Sequence, residues 1–325
     1  MVKKETAKKS SKKPVSKTAV EKWPRVRKLN KKQAKLKAKK EAGKRKPLPG
    51  SFKLTNQVVK TLKQFWRPLG GIVLVYLILN IIFASGISNL SSAVEGIKTN
   101  LSSTGNSQNH PLAAAFSGFT SLVSSAGSSG SATGSVLQSV LIVLESLVII
   151  WALRQLLAGA AVGVKQAYYQ STGPLIPFLL VIFVIILQLL PISLGAGALS
   201  LIQGSLANGS GVIAAIFVVL FGLLASWSFY MVSGSVFALY IVTLPDMHPR
   251  KALRSAKNLV RFRRLAVMRR VVFLPIFILI VMGALIIPCI LVFTPLVAPL
   301  FYVLSMLAIL FVHTYLYSLY RSLLA

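Results

Sequence analysis

The chain has 325 residues, of which 54% are hydrophobic and only 13% are charged. A soluble domain is usually about 45–50% apolar, so this composition argues against a water-soluble globule and favours a protein that exposes apolar surface to a membrane. With six acidic residues and one cysteine, the chain offers little for a carboxylate pair, a disulfide or a metal centre, and we expect a non-enzymatic protein without cofactor or metal.

The first 50 residues carry 20 Lys and Arg against 3 Glu, and their few apolar residues are scattered. Such a segment buries too little apolar surface to fold alone, so residues 1–50 are predicted to be a disordered basic tail. Its long basic region, with no prompt apolar run, is unlike a secretory signal peptide. Its charge predicts an anionic partner, either phospholipid headgroups or ribosomal RNA, although a purely solubilising tail has the same composition.

Residues 51–68 differ from the tail because apolar residues recur there at helical spacing between lysines. This pattern predicts an amphipathic helix lying in the membrane interface, with Trp66 at the depth of the headgroups. The apolar positions are Phe52, Val58, Val59, Leu62, Phe65 and Trp66.

Six apolar stretches follow, each long enough to cross the hydrocarbon core of a bilayer, which takes about 20 residues. The fourth is longer than this and is expected to tilt or to kink near Gly234. We therefore predict an all-α integral membrane protein with about six transmembrane helices over residues 69–325. The first two stretches are separated by a Ser/Gly-rich segment, 89–134, and the fourth and fifth by a basic segment, 245–270. The predicted spans are 69–87, 136–157, 174–194, 212–244, 271–293 and 296–317.

The distribution of basic residues predicts the orientation of the chain in the membrane. With six spans, 36 of the 37 Lys and Arg lie on the side of the N-terminus, and only Lys98 lies on the other side. The positive-inside rule then places both termini and the 245–270 loop in the cytoplasm, and the 89–134 loop outside. We expect the plasma or inner membrane of the cell.

A stretch with basic or aromatic residues precedes each span that runs outward: 52–67, 165–173 and 249–270. The chain is therefore predicted to form three helical hairpins, each preceded by an interfacial amphipathic helix.

The segment 245–270 holds the densest cluster of basic residues outside the tail. Leu253, Ala256, Leu259 and Val260 form an apolar stripe, and basic residues lie largely opposite. Each cation near an anionic membrane surface contributes about 1 kcal/mol, which predicts binding of anionic lipid. A simple topology anchor, and a docking site for a protein or RNA, are the alternatives. The predicted lipid contacts are Arg250, Lys251, Arg254, Lys257, Arg261, Arg263, Arg264, Arg269 and Arg270.

The same segment, PRKALRSAKNLVRFRR, resembles the loop before the fifth helix in a group of bacterial six-span proteins. These include the membrane domain associated with glycerophosphoryl diester phosphodiesterases. The matching residues are Pro249, Ala252, Leu253, Arg254, Ser255, Leu259, Val260 and Arg261, and the stretch FKLTNQVVKTLKQFWRPLGGI is similar as well. The chain departs from the pattern at Phe262, where glycine is frequent, and it has no counterpart of the catalytic domain. The resemblance therefore implies a membrane architecture and not a hydrolase.

Glu145 lies in the middle of the second span, in the sequence VLIVLESLVII. An ionised carboxylate there costs about 2.5–3.5 kcal/mol, so we expect the side chain to face the bundle interior and to stay protonated. It is predicted either to serve as a proton or cation site or to form a structural hydrogen bond. The candidate hydrogen-bond partners are Gln138, Gln188, Ser226 and His313.

Gly159 and Gly163 form a GxxxG pattern at the inner end of the second span. Two small residues at this spacing allow close approach of two helices, so the pair is predicted to mark a helix-packing contact.

Three functions are compatible with these features. The first is a non-enzymatic membrane protein that contacts anionic lipid and organises or assists envelope processes. The second is a small transporter or channel that uses Glu145. The third is a ribosome-associated membrane biogenesis factor that uses the basic tail.

Overall fold

The structure is a computed structural model that describes residues 48–84, 115, 118–123, 132–205, 211–245 and 247–324. The described residues are largely helical and include no strand, which confirms the predicted all-α class. Most of the basic tail and most of the 89–134 segment lie outside the described residues. Within the latter segment, residues 118–123 are helical, and the buried Phe119 ring lies against Gly283.

Besides the helical residues 118–123, the described chain contains four short and six long α-helices, and a 3₁₀ turn, Thr294–Leu296, between the last two. The short helices are α1 (Ser51–Gln64), α4 (Val164–Ser171), α7 (Ala238–Val242) and α8 (Pro249–Val260). The long helices are α2 (Trp66–Ala84), α3 (Ala132–Leu157), α5 (Leu175–Ser205), α6 (Gly211–Ser235), α9 (Arg264–Val292) and α10 (Val297–Leu324).

Six segments of the described chain are long and apolar enough to cross a membrane, as predicted. They correspond to α2, α3, α5, α6 together with α7, α9 and α10. The fourth segment is interrupted directly after Ser235, close to Gly234, where the sequence permits a kink. Pro275 and Pro288 lie inside α9, where neighbouring helices can satisfy the carbonyl groups that proline leaves free.

The six long helices are arranged as three hairpins, because α2 packs on α3, α5 on α6 and α9 on α10. One short helix precedes each hairpin: α1, α4 and α8 respectively. The most central helix is α10, which contacts α1, α2, α3 and α9. By contrast, only 11% of the apolar window of α5 is buried, against 44% of that of α3, so α5 presents most of its surface to the bilayer.

The predicted packing role of Gly159 and Gly163 is wrong. Both residues are exposed and lie between α3 and α4, outside any helix. Gly159 has a φ of 86° and ends α3, where its N–H bonds the carbonyl of Leu156 and the next N–H, of Ala160, bonds that of Gln155. This is the Schellman arrangement, which favours glycine because a Cβ is strained at positive φ. Gly159 therefore ends α3, whereas Gly163 lies directly before α4.

Gly159→Ala is expected to lower the stability of the protein by about 1 kcal/mol, since a side chain in the left-handed region costs roughly 1–2 kcal/mol. Gly163→Ala is the matched control, because Gly163 has a φ of −86° and space around its Cβ position. Thermal unfolding of both variants in detergent would measure the difference. An equal loss in the two variants would contradict this role of Gly159.

Candidate functional site

The basic segment before α9 folds into a helix with sharply segregated faces. Ala252, Ala256 and Val260 are fully buried in α8, and they lie four residues apart on one face. Pro249 occupies the first turn, where its missing N–H leaves no hydrogen bond unmade. The opposite face is exposed and carries Arg250, Lys251, Arg254, Lys257 and, directly after the helix, Arg261.

The other four basic residues of this segment differ from one another in their environment. Arg269 is exposed, whereas Arg263 and Arg264 are half-buried. The Arg264 guanidinium lies 4.9 Å from the centre of the Tyr230 ring on α6, a cation–π contact that orients it toward the protein. The exposed cations of this segment are therefore those on the open face of α8, together with Arg261 and Arg269.

Arg270 is buried, and its guanidinium is occupied by backbone carbonyl groups. Its Nε donates to the carbonyl of Pro49 at 2.9 Å and its Nη2 to that of Leu48 at 3.1 Å. Its Nη1 donates to the carbonyl of Ala266 at 2.6 Å. These bonds tie the chain just before α1 to the N-terminal end of α9, so Arg270 contributes to the position of α1 and is not available to a lipid headgroup in this conformation.

Arg154 forms a second guanidinium contact with backbone carbonyls, at the C-terminal end of α3. It donates to the carbonyl oxygens of Thr243 at 2.8 Å and Tyr240 at 3.2 Å, and also to the Thr243 hydroxyl. The Thr243 hydroxyl also donates to the Tyr240 carbonyl at 3.0 Å. Arg154 adds donors to the carbonyl groups at the end of α7, so it helps to cap that helix and joins the first hairpin to the second.

Glu145 faces the bundle interior, as predicted, and is 1% exposed. Its Oε2 lies 2.9 Å from the Tyr168 hydroxyl of α4, which also lies 3.2 Å from the carbonyl of Ile72 on α2. Its Oε1 has no hydrogen-bond partner among the described residues. Because the Tyr168 hydroxyl has one hydrogen, it can donate to only one of its two acceptors at a time.

The predicted hydrogen-bond partners of Glu145 are wrong: the bond goes to Tyr168 and not to Gln138, Gln188, Ser226 or His313. Burial raises the pKa of the Tyr168 hydroxyl, and the nearby carboxyl raises it further, so Tyr168 remains a hydrogen-bond donor. Sequence reasoning missed Tyr168 because the polar stretch KQAYYQSTG predicts only an interfacial helix, without a side chain that faces the bundle. The available signal was Ala167 and Ser171, a pair one turn apart that is buried in α4.

His313 and Gln188 lie in other parts of the bundle. His313 on α10 contacts the Ser146 hydroxyl at 3.0 Å and the Tyr240 hydroxyl at 3.3 Å through its two ring nitrogens. Gln188 lies on α5, and its side-chain oxygen is buried without a partner in the described structure. Gln138 lies two turns before Glu145 on α3. The predicted intramembrane polar residues therefore do not form one site; they are Glu145, Gln138, Gln188 and His313.

A second cluster of buried polar side chains joins the first hairpin to the third. Tyr302 on α10 donates to the Asn80 side-chain oxygen at 2.7 Å, and the Asn80 amide lies 3.4 Å from the Tyr76 hydroxyl. All three residues are buried. Such satisfied polar contacts between membrane helices fix which faces of the helices meet.

A cavity of about 490 Å³ opens between the C-terminal ends of α3 and α7 and the N-terminal end of α5. Its lining includes Trp151, Arg154, Gln170, Thr243 and His248, but not Glu145. The described residues also contain no group of three or more His, Cys, Asp or Glu that could hold a metal ion.

Comparison with known proteins yields no match: no protein-family model, no curated protein and no solved structure is significantly similar to this chain.

Proposed function

We propose that the protein is a non-enzymatic, multi-pass protein of the plasma or inner membrane whose cytoplasmic face binds anionic phospholipid, and that it thereby organises or assists envelope processes. Both termini lie in the cytoplasm in this arrangement, because that orientation places 36 of the 37 basic residues inside.

The observation that carries this proposal is the division of α8 into a buried alanine face and an exposed basic face. The small residues let α8 lie close against the bundle, so its cations are held at a fixed height beside the membrane-spanning helices. At about 1 kcal/mol for each cation near an anionic surface, the exposed face supplies several kcal/mol of attraction. This function rests on the geometry of α8 and not on the resemblance to the diesterase-associated membrane domain, since none of the comparisons bears on that resemblance.

The transporter alternative is less well supported by the site. Glu145 is 1% exposed and does not line the inner cavity, and a tyrosine holds one of its oxygens. If the protein were a transporter that uses this carboxyl, Glu145→Gln would abolish transport in proteoliposomes without loss of expression.

The test compares two double variants that each remove one arginine and one lysine. Arg254→Gln/Lys257→Gln removes two of the four exposed cations of α8, and Lys165→Gln/Arg321→Gln removes two exposed cations elsewhere on the same predicted side. Wild type and variants would be reconstituted in nanodiscs of mixed anionic and zwitterionic phospholipid and then extracted into a mild detergent. Mass spectrometry would quantify the lipids that stay bound to each protein. We expect the α8 variant to reduce anionic-lipid retention by up to about 30-fold, since two cations at about 1 kcal/mol each are lost.

Equal effects of the two variants would mean that only the total charge matters, and an unchanged α8 variant would overturn the proposal. Co-purification of ribosomal RNA, lost in a chain without residues 1–45, would instead favour the biogenesis factor. This truncation keeps Leu48 and Pro49, whose carbonyls bond Arg270.

A further inference from the structure

A groove of about 450 Å³ lies between α1 and α2 on one side and α9 and α10 on the other. Every residue that lines it is apolar or aromatic, including Val59, Trp66, Phe277, Leu285 and Ala308. Phe277 and Leu285 are eight residues apart on α9, so the groove extends about 12 Å along that helix. It is therefore an elongated apolar slot and not a compact cavity.

The groove lies beside α1, the short helix that precedes the first membrane span. Arg270 holds the chain before α1 at the inner end of α9, and the Phe52 ring lies 5.3 Å from the Phe273 ring. The groove-lining residues of α9 begin one turn further along, at Phe277. The groove thus starts at the level of α1 and continues toward the middle of the bilayer.

The exposed side of α1 combines an apolar strip with cations. Leu54 and Val58 are buried against the bundle, whereas Phe52 and Val59 are exposed, at 75% and 38% respectively. Lys60 and Lys63 are exposed on the same helix. A helix with these surfaces lies in the headgroup region, with its apolar strip in the acyl layer and its lysines at the phosphates.

Two exposed cations adjoin groove-lining residues of α1 and α2, and neither helix carries an acid that would oppose them. Lys63 lies one turn from Val59, which lines the groove, and Arg67 directly follows Trp66, which also lines it. Both cations are exposed, and residues 51–84 contain no Asp or Glu. An occupant that suits this site has a long apolar chain and a negatively charged group at one end.

We propose that this groove binds one acyl chain of an anionic phospholipid of the inner leaflet, whose phosphate is held by Lys63 and Arg67. The acyl chain fills the groove between α1 and α10, and the lipid headgroup stays at the level of α1. This site is separate from the α8 surface, so either can exist without the other. A bound lipid of this kind also fixes α1 against the third hairpin.

The test measures lipid retention by native mass spectrometry of the full chain, titrated with phosphatidylglycerol or phosphatidylcholine in a mild detergent. We expect the wild type to keep one phosphatidylglycerol under conditions that remove other lipids. Ala308→Phe fills the groove and should abolish retention of that lipid. Ala196→Phe is the matched control, because Ala196 is exposed on α5, away from the groove, and it should retain the lipid.

A second variant does not perturb packing and keeps the inference testable if Ala308→Phe misfolds. Lys63→Gln/Arg67→Gln changes only exposed side chains and should weaken phosphatidylglycerol retention by about 30-fold without affecting phosphatidylcholine. Arg254→Gln/Lys257→Gln should retain the tightly held lipid, which separates a failure of this site from a failure of the α8 surface.

Three results would overturn the inference. The first is retention of phosphatidylglycerol by a folded Ala308→Phe variant, and the second is equal retention of both lipids by the wild type. The third is a dimer that disappears in Ala308→Phe, because a second copy of the chain would then cover the groove.

Discussion

Arg270→Ala is expected to lower the thermal unfolding midpoint by roughly 5–10 °C in detergent and to loosen α1, whereas Arg269→Ala changes neither. The two arginines are adjacent in sequence and carry the same charge. Arg270 is 5% exposed and donates to the carbonyls of Leu48 and Pro49, while Arg269 is exposed. The pair therefore separates the effect of the buried hydrogen bonds from the effect of one positive charge.

The expected loss of stability in Arg270→Ala follows from the hydrogen bonds that the substitution removes. Hydrogen bonds that involve a charged group contribute about 1.5–3 kcal/mol each, and two of those made by Arg270 join α9 to the segment before α1. A loss of about 3 kcal/mol is therefore expected. The third bond, to Ala266, lies within α9 and does not affect the attachment of α1.

The loosening of α1 has its own measurement. Lys53, Lys60 and Lys63 lie on the exposed side of α1, so limited trypsin digestion reports how often this helix opens. Cleavage at these lysines should be faster in Arg270→Ala than in the wild type or in Arg269→Ala. Arg270→Lys keeps the charge but lacks the planar set of donors that reaches both carbonyls, and its cleavage rate should fall between those of the wild type and Arg270→Ala. Equal digestion of all four proteins would contradict the role given to Arg270.

Tyr168→Phe is expected to destabilise the protein by about 1–3 kcal/mol, because it leaves both oxygens of the buried Glu145 carboxyl without a donor. Tyr169→Phe is the matched control, since Tyr169 follows it in α4 and is 75% exposed. It should have little effect. Chemical or thermal unfolding of both variants in the same detergent gives the comparison.

A double-mutant cycle shows whether the loss comes from the Tyr168–Glu145 contact. Replacing both partners by apolar groups of similar shape is nearly neutral, whereas removing only the donor leaves a buried polar group unpaired. Tyr168→Phe/Glu145→Leu should therefore be more stable than Tyr168→Phe alone. Additive losses would show that the two side chains act independently. Glu145→Gln keeps an acceptor for Tyr168 and should retain most of the stability.

The two contacts explain why α1 and α4 stay on the bundle although they are too short to be stable alone. Arg270 fastens the start of α1, and Tyr168 fastens α4 to α2 and α3. Close approach assists α4 as well, since a Cβ on Gly71 would lie 2.8 Å from the Val164 side chain. Short helices beside the spans are thus held by a few specific polar contacts in addition to apolar burial.

The sequence alone determined the all-α class, the six spans and the division into three hairpins. These properties depend on hydropathy and periodicity, which are local and accumulate over some 20 residues. The same reasoning correctly placed Ala256 and Val260 on the buried face of α8, because an apolar stripe at helical spacing has one way to face the protein. It also oriented Glu145 inward, since an exposed carboxyl in lipid is costly.

Only the tertiary structure decided between chemically identical neighbours. Two pairs of adjacent, identical residues share one local sequence: Arg269 with Arg270, and Tyr168 with Tyr169. In each pair one side chain is exposed and the other forms hydrogen bonds within the protein. The choice depends on which carbonyl or carboxyl arrives from a distant segment: Leu48 and Pro49 for Arg270, and Glu145 for Tyr168. Hydropathy can be summed along the chain. A hydrogen bond instead depends on the positions and directions of two groups, and only the packing of the whole bundle defines these.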